Sequence, residues 1–319
     1  MKKVWKSVLA TVIAASSVIS LAACGASEAP AATTANGNTE TVKSGDPVKI
    51  GVPSDATNQA RAINVLAAAG LIKVNPDAGY TPELADVTEY IYNIEIVPAA
   101  ANTLVATLDD YAASTINGTY AVPAGLSPSK DGLITEVQEK GSDNPFINVI
   151  VARTEDKDNE DYQKIVKAYQ SQTVAEFILE KNKESSIPAF DYDENYTVEA
   201  DFVDKLEGYN SEKGNKKVIK LGTCGSADVW KAVQKVLDDE NAGIYIEPVI
   251  FDAYNLPNEA LNNGEIDLNA FQHKAYLQSE IDSQGYKLTP IGDTSSAPLT
   301  LYSKKVKSLD ELKELAGKK

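Results

Sequence analysis

From Val48 onward, short apolar and β-branched runs alternate with stretches whose apolar residues recur every three or four positions. This is the alternation of an α/β fold, strands reading with period two or as continuous apolar runs and helices with period 3.6. VKIGV (48–52) reads as a strand. NQARAINVLAAAG (58–70) reads as a helix with Ile63, Leu66, Ala67 and Gly70 on one stripe and Gly70 as its stop. NIEIVPA (93–99) is expected as a strand, TLVATLDD (103–110) as a helix, YAASTING (111–118) as a strand running into a turn, and NPFINVIVA (144–152) as a strongly apolar strand. One helical run over 160–182 closes this half, and Pro188 follows it. Residues 191–215 are acidic and lack sustained periodicity; they predict a linker with one short helix near 198–206.

The alternation then restarts. Strands are predicted at 217–223, 244–251, 266–271, 287–293 and 298–304, and helices at 226–240, 256–264, 274–285 and 308–315. Two α/β segments joined by a linker are either independent domains or two pieces of one bilobal domain.

The long apolar run at the start changes the picture. Lys2, Lys3 and Lys6 precede an apolar stretch over 8–19, too short for a bilayer span and shaped as a secretion signal. Leu21-Ala22-Ala23-Cys24-Gly25 then has the form of a lipoprotein cleavage site, so residues 1–23 are expected as a signal peptide and Cys24 as the acylated N-terminus. Residues 24–47 are small, polar and aperiodic, as a flexible tether from membrane to domain would be. Cys224 is left without an intramolecular partner. A formal net charge of −16 speaks against nucleic acid, whose phosphates need a basic face.

Few residues suggest chemistry. His273, the chain's one histidine, falls just past a predicted strand end between Phe271 and Tyr276, where α/β folds place ligands. Arg61 is expected in the first turn of a helix preceded by Ser54, Asp55, Thr57 and Asn58, all capping types. A guanidinium fork beside a helix N-terminus suits a carboxylate ligand, and a surface pairing with an acid fits the spacing equally well. Asn117, at a strand-to-turn junction, can cap the turn or bond a ligand. One histidine cannot build a multi-histidine metal site, and no GxSxG, P-loop or GxGxxG is present, so neither an enzyme nor a cofactor is expected. Cys224 reads as a small buried hydrophobe.

PNEALNNGEIDLNAFQHKAYL (257–277) closely resembles a signature of the NlpA-like methionine-binding lipoproteins, substrate-binding components of ABC importers. The resemblance extends through YSKKVKSLDELKE (302–314), GVPSDATNQARA (51–62), INGTYAVPAGLSPSKDG (116–132), AYQSQTVAEFI (168–178) and SIPAF (186–190). It implies a bilobal periplasmic-binding fold (type II-like) hinged over a ligand. In that family the segment resembling 216–319 comes first, so the order here looks circularly permuted, with 191–215 bridging the former termini; a fragment cut from a tandem array of two copies is the rival account of the order. One lobe would hold 48–147 and 304–319 with Arg61 and Asn117, the other 148–190 and 216–303 with His273. The crossings would fall near INVIVAR and TLYSKK.

Carried over by resemblance, Arg61 would grip an α-carboxylate, and His273 and Asn117 would complete polar recognition. Tyr254, Phe271 and Tyr276 would wall an apolar side chain, and Asn258 would cap its helix. The implied partners are L-methionine or a related amino acid or dipeptide, an ABC permease with its ATPase, and the membrane through the lipid. Ala275 replaces a proline of the signature, and TSSAP (294–298) stands where the family carries an aromatic-bearing segment, which would enlarge or polarise the side-chain pocket. A surface lipoprotein of the same fold, acting as adhesin or sensor, is the rival reading.

Overall fold

The computed structural model describes residues 45–137, 144–182 and 185–319. The expected signal peptide, Cys24 and nearly all of the tether lie outside the described residues.

In chain order the first half holds β1 (Val48–Pro53), α1 (Ala56–Ala68), β2 (Ile72–Val74), β3 (Val87–Tyr90), β4 (Ile94–Ala99), β5 (Ala113–Asn117), α2 (Gly118–Ala121), α3 (Pro128–Asp131), β6 (Gly132–Thr135), β7 (Ile147–Arg153), α4 (Glu160–Tyr169), α5 (Gln172–Asn182) and β8 (Ile187–Pro188). The second half holds α6 (Phe202–Glu207), β9 (Lys217–Cys224), α7 (Asp228–Asp239), β10 (Ile244–Phe251), α8 (Leu256–Asn262), β11 (Leu268–His273), α9 (Lys274–Gln284), β12 (Leu288–Ser296), β13 (Leu299–Tyr302) and α10 (Leu309–Ala316).

Two sheets make two lobes. The first has order β4-β1-β5-β13-β6, with β1 parallel to β4 and β5, and β13 antiparallel to β5 and β6. The second has order β10-β9-β11-β7-β12-β8, with β9 parallel to β10 and β11, and β7 antiparallel to β11 and β12. The apolar run of β7 follows from its central place: Ile150 and Ala152 pack into the core under α4, α5 and α7, while Val149 and Val151 face a second core with Leu261, Leu277 and Leu288. A strand covered on both faces has no polar side to alternate with. Each of these valine, leucine and isoleucine side chains contributes roughly 1.5–3 kcal/mol by leaving water.

The chain leaves the first sheet after Thr135, enters the second at Ile147, and returns between Ser296 and Leu299. The sequence reading kept residues up to 303 in the second lobe, but β13 pairs with β5 and β6, so the return crossing lies at Ala297-Pro298. Pro298 has no N–H to extend the β12 ladder, which ends the strand there. INVIVAR and TLYSKK accordingly lie each within one sheet instead of spanning the lobes.

Other expectations shift locally. TLVATLDD forms two short 3-10 turns, Ala101–Thr103 and Leu108–Asp110, in place of an α-helix. The Thr103 and Thr107 hydroxyls donate to the carbonyls of Ala100 and Thr103, the local competition that weakens helices at β-branched hydroxyl residues. The run at 160–182 breaks into α4 and α5, where the Gln170 amide reaches the Asp293 carbonyl and the Ser171 hydroxyl accepts from Val174 N. Gly70 follows α1 at φ +70°, as a helix stop that glycine tolerates. Asn258 does not cap α8: it is fully buried and exchanges hydrogen bonds with Asn269 and Gln272 on β11. The bridging residues 191–215 are docked on the second lobe, α6 burying Leu206 and Asp238 of α7 accepting from Tyr209, Ser211 and Lys216.

The two open ends of the first lobe meet at one residue. Val48 N donates to Asn93 O and Asn93 N donates to Gly317 O, both at 2.9 Å, while Lys319 N donates to Ile91 O. α10 packs Leu312 and Ala316 into the core that holds Ile50, Leu299 and Leu301.

Candidate functional site

One cavity between the lobes is lined by all six residues singled out in the sequence: Arg61 and Asn117 from the first lobe, Tyr254, Phe271, His273 and Tyr276 from the second. Asn58, Asn148 and Ala297 also line it.

The first-lobe wall begins at α1. Asp55 caps the helix, its Oδ1 accepting from Asn58 N and from Asn58 Nδ2, each at 2.9 Å. The helix start is therefore taken by a carboxylate, and the expectation that its free N–H groups would draw a ligand carboxylate is corrected: a second anion there would meet the first. Burial pushes the Asp55 carboxyl above its ordinary range, against the pull of its hydrogen bonds to Asn58 and Thr57 and of the Arg61 charge.

Arg61 is buried at 3% exposure, in the second turn of α1 and not the first, because Asp55 caps the helix and Ala56 already opens it. Its Nε donates to Glu136 Oε1 at 3.0 Å, its Nη2 to Glu136 Oε2 and to the Ala297 carbonyl, and its Nη1 to Asn58 Oδ1. The guanidinium carbon lies 4.9 Å from the ring centre of Phe146, over its face. Arg61 thus pairs with an acid, but inside the protein and at the cavity wall instead of on the surface.

Asn117 ends β5, and its side chain makes no cap bond to α2. Its Nδ2 donates to Asn58 Oδ1 at 2.9 Å, leaving a buried Oδ1 with no partner. This polarity is dictated from behind. Arg61 can only donate and the Asp55 carboxylate can only accept, so Asn58 must turn its oxygen to Arg61 and its amide nitrogen to Asp55. Asn117 must then offer nitrogen to Asn58 and oxygen to the cavity. A buried carbonyl oxygen without a donor is costly, so the site is built to receive an N–H or O–H from a ligand.

The second-lobe wall is set by the β11-to-α9 junction. His273 is the N-cap of α9: its Nδ1 accepts from Tyr276 N at 3.1 Å, which leaves Nε2 to carry the proton and face Asn58 Oδ1 at 3.4 Å. Burial, with the Arg61 charge beside it, holds His273 well below its ordinary pKa, so it is neutral. Tyr254, Phe271 and Tyr276 stand with ring centres about 6 Å apart, and Tyr120 of the first lobe closes on Tyr254 at 5.0 Å. Phe146 packs edge-on against His273. These rings make an apolar box beside the polar pair of Asn117 and His273. Cys224 is buried next to this wall, its thiol pushed up to about 12 by burial first and by Asp252, which suits an inert side chain.

The lobes touch at the rim. Gly225, at φ +73°, brings its backbone so near that a Cβ added there would stand 2.3 Å from the Thr119 carbonyl oxygen.

Sequence reasoning named Asn58 only as a capping type and did not single out Asn148, Glu136 or Phe146. Asn58 was findable, since it lies three residues before Arg61 on the same helix face. Asn148 is a polar break in an otherwise apolar strand, paired in register with His273. Glu136 lies 75 positions from Arg61, and no local pattern announces that pairing.

A family profile described as NlpA lipoprotein matches residues 34–190 and 219–317. The D-methionine-binding lipoprotein MetQ of Escherichia coli K12 is 45% identical over 111 residues, 34% of this chain and 41% of that protein. Outer membrane lipoprotein 3 of Mannheimia haemolytica is 42% identical over 133 residues, 42% of this chain and 48% of that one. The chain thus spans less than half the length of these curated relatives in any one match. A nutrient-binding protein from Burkholderia cenocepacia, solved bound to methionine, is 35% identical with a TM-score of 0.40, over 46% of this chain and 61% of that one. The fold therefore rests on the chain's own two sheets.

Proposed function

Because the chain belongs to the NlpA lipoprotein family, we propose that it is a lipid-anchored, extracytoplasmic substrate-binding protein of an ABC importer, holding L-methionine or a related amino acid or short peptide between its lobes. It is a binding protein and not an enzyme, as the names of its relatives describe them. The observation that carries the ligand class is the paired wall of the cavity. An unpartnered buried acceptor on Asn117 stands across from an apolar aromatic box, which suits an amino group and an apolar or thioether side chain on one small molecule. Ala297, inside TSSAP, lines the same cavity with only a methyl group.

Anchoring would come through Cys24 and the tether. Among the described residues no helix is long and apolar enough to cross a membrane. The chain order is read as a circular permutation of the family's. This accounts for a profile matched in two blocks and for relatives matched over one stretch at a time, since an alignment preserves chain order. The meeting of β1 and the C-terminus at Asn93 supports it, because termini that lie together can be rejoined and the chain reopened elsewhere.

A panel of the free amino acids and methionine-containing dipeptides, read by thermal shift, tests the ligand class. One member or a narrow set, methionine or its relatives included, is expected to raise the melting temperature by several degrees. A flat response across the whole panel would instead favour the surface adhesin or sensor.

A further inference from the structure

We propose that Glu136 sets the charge preference of the cleft: by neutralising Arg61 from behind, it admits a ligand carrying its own counter-charge, a zwitterion, and disfavours a singly charged carboxylate. The identity of the zwitterion rests on the amino-acid reading above; the electrostatic role of Glu136 does not.

Arg61 has five N–H groups, and four are in use. Glu136 takes Nε and one Nη2 hydrogen, the Ala297 carbonyl takes the other Nη2 hydrogen, and Asn58 takes one at Nη1. The forked edge that would grip a carboxylate already holds one. Glu136 is itself fixed in place. Its Oε2 accepts from Leu299 N at 3.0 Å, and its backbone N donates to Leu299 O at 2.8 Å, so the pair is tied to the start of β13. The two side chains are 4% and 13% exposed, dry enough for the charges to cancel locally.

Among the described residues lining the cavity Arg61 is the sole cation, His273 being neutral. What the cleft offers is one guanidinium N–H at Nη1, the Nε2–H of His273, held only by a long 3.4 Å contact to Asn58 Oδ1, and the acceptor of Asn117. An anion would bring an uncompensated charge into this setting, whereas a zwitterion brings none in sum and gives its ammonium to Asn117. Glu136 is therefore a positioning residue, acting on the ligand through Arg61.

The test compares full-length wild type with Glu136→Gln, which keeps the shape and an acceptor for Leu299 N but removes the charge. The probes are L-methionine, its isosteric 2-hydroxy acid, which is an anion, and propionate. Propionate is expected to leave the wild-type melting temperature unchanged and to raise that of the variant. The affinity of the 2-hydroxy acid relative to methionine is expected to rise at least tenfold in the variant. Equal stabilisation of both proteins by propionate, or an unchanged affinity ratio, overturns the proposal. Should methionine leave both proteins untouched while propionate stabilises only the variant, the role of Glu136 stands and the amino-acid reading falls. Should the variant fail to fold, wild type decides alone: binding the 2-hydroxy acid as tightly as methionine overturns the proposal.

Discussion

His273 is kept neutral by burial first and by the charge of Arg61 across the cleft, and Tyr276 N on Nδ1 fixes it as a donor at Nε2. This has a measurable sign. Its folded pKa lies below the unfolded value of about 6.5, so in acid the unfolded chain binds a proton that the folded chain does not. Stability contributed by this group is present above pH 6.5 and is lost as pH falls below it. Asparagine is also a good N-cap, so His273→Asn keeps the cap and removes the titration. Between pH 6.5 and 5.5, wild type should lose about 1 kcal/mol more stability than the variant in urea unfolding; parallel losses would mean the imidazole titrates freely. At this scale the sequence was informative where a residue's own neighbours speak for it. His273 follows a strand, and Asn117 stands at a turn. It was silent on Glu136 and on the orientation of Asn117, because both depend on partners brought in from other strands and fixed by which groups can donate.

The elements were legible where periodicity was long. β1, α1, β10 and α9 fall within two residues of expectation; β1 and α1 carry several buried positions each, and α9 is bounded by its His273 cap and by Gly285 in the left-handed region. The hairpin of β2 and β3 and the edge strand β6 were not foreseen; they are three or four residues long and only partly buried, too short to show a period. The junction of β9 with α7 shows an element boundary serving function, since Gly225 there lets the second lobe come against Thr119 of the first. A Cβ at that point would meet a backbone oxygen, and the left-handed φ adds strain of order 1–3 kcal/mol for a non-glycine residue. Gly225→Ala should part the rims and weaken ligand binding tenfold or more while each lobe stays folded by circular dichroism. Unchanged affinity in calorimetry would show that closure does not need this contact.

At the scale of the whole molecule, two mixed sheets exchange the chain twice, between Thr135 and Ile147 and at residues 297–298, and the cavity lies where the two lobes face each other. The α/β class could be read from the alternation on either side of residues 191–215, but that pattern left two domains and one bilobal domain equally open, and only the family resemblance implied the bilobal plan. The return crossing could not be read, since PLTLYSK looks like any strand and only pairing with β5 reveals its lobe. A ligand touching both walls is what would shift such lobes toward the closed arrangement, by its differential contacts in the two states. The most direct measurement is therefore a calorimetric titration of L-methionine into wild type and His273→Asn, side by side. Single-site binding by wild type, weakened at least tenfold in the variant with its fold intact, is the predicted result. No heat from wild type, or equal affinity in the two proteins, would contradict the placement of an amino-acid site between these lobes.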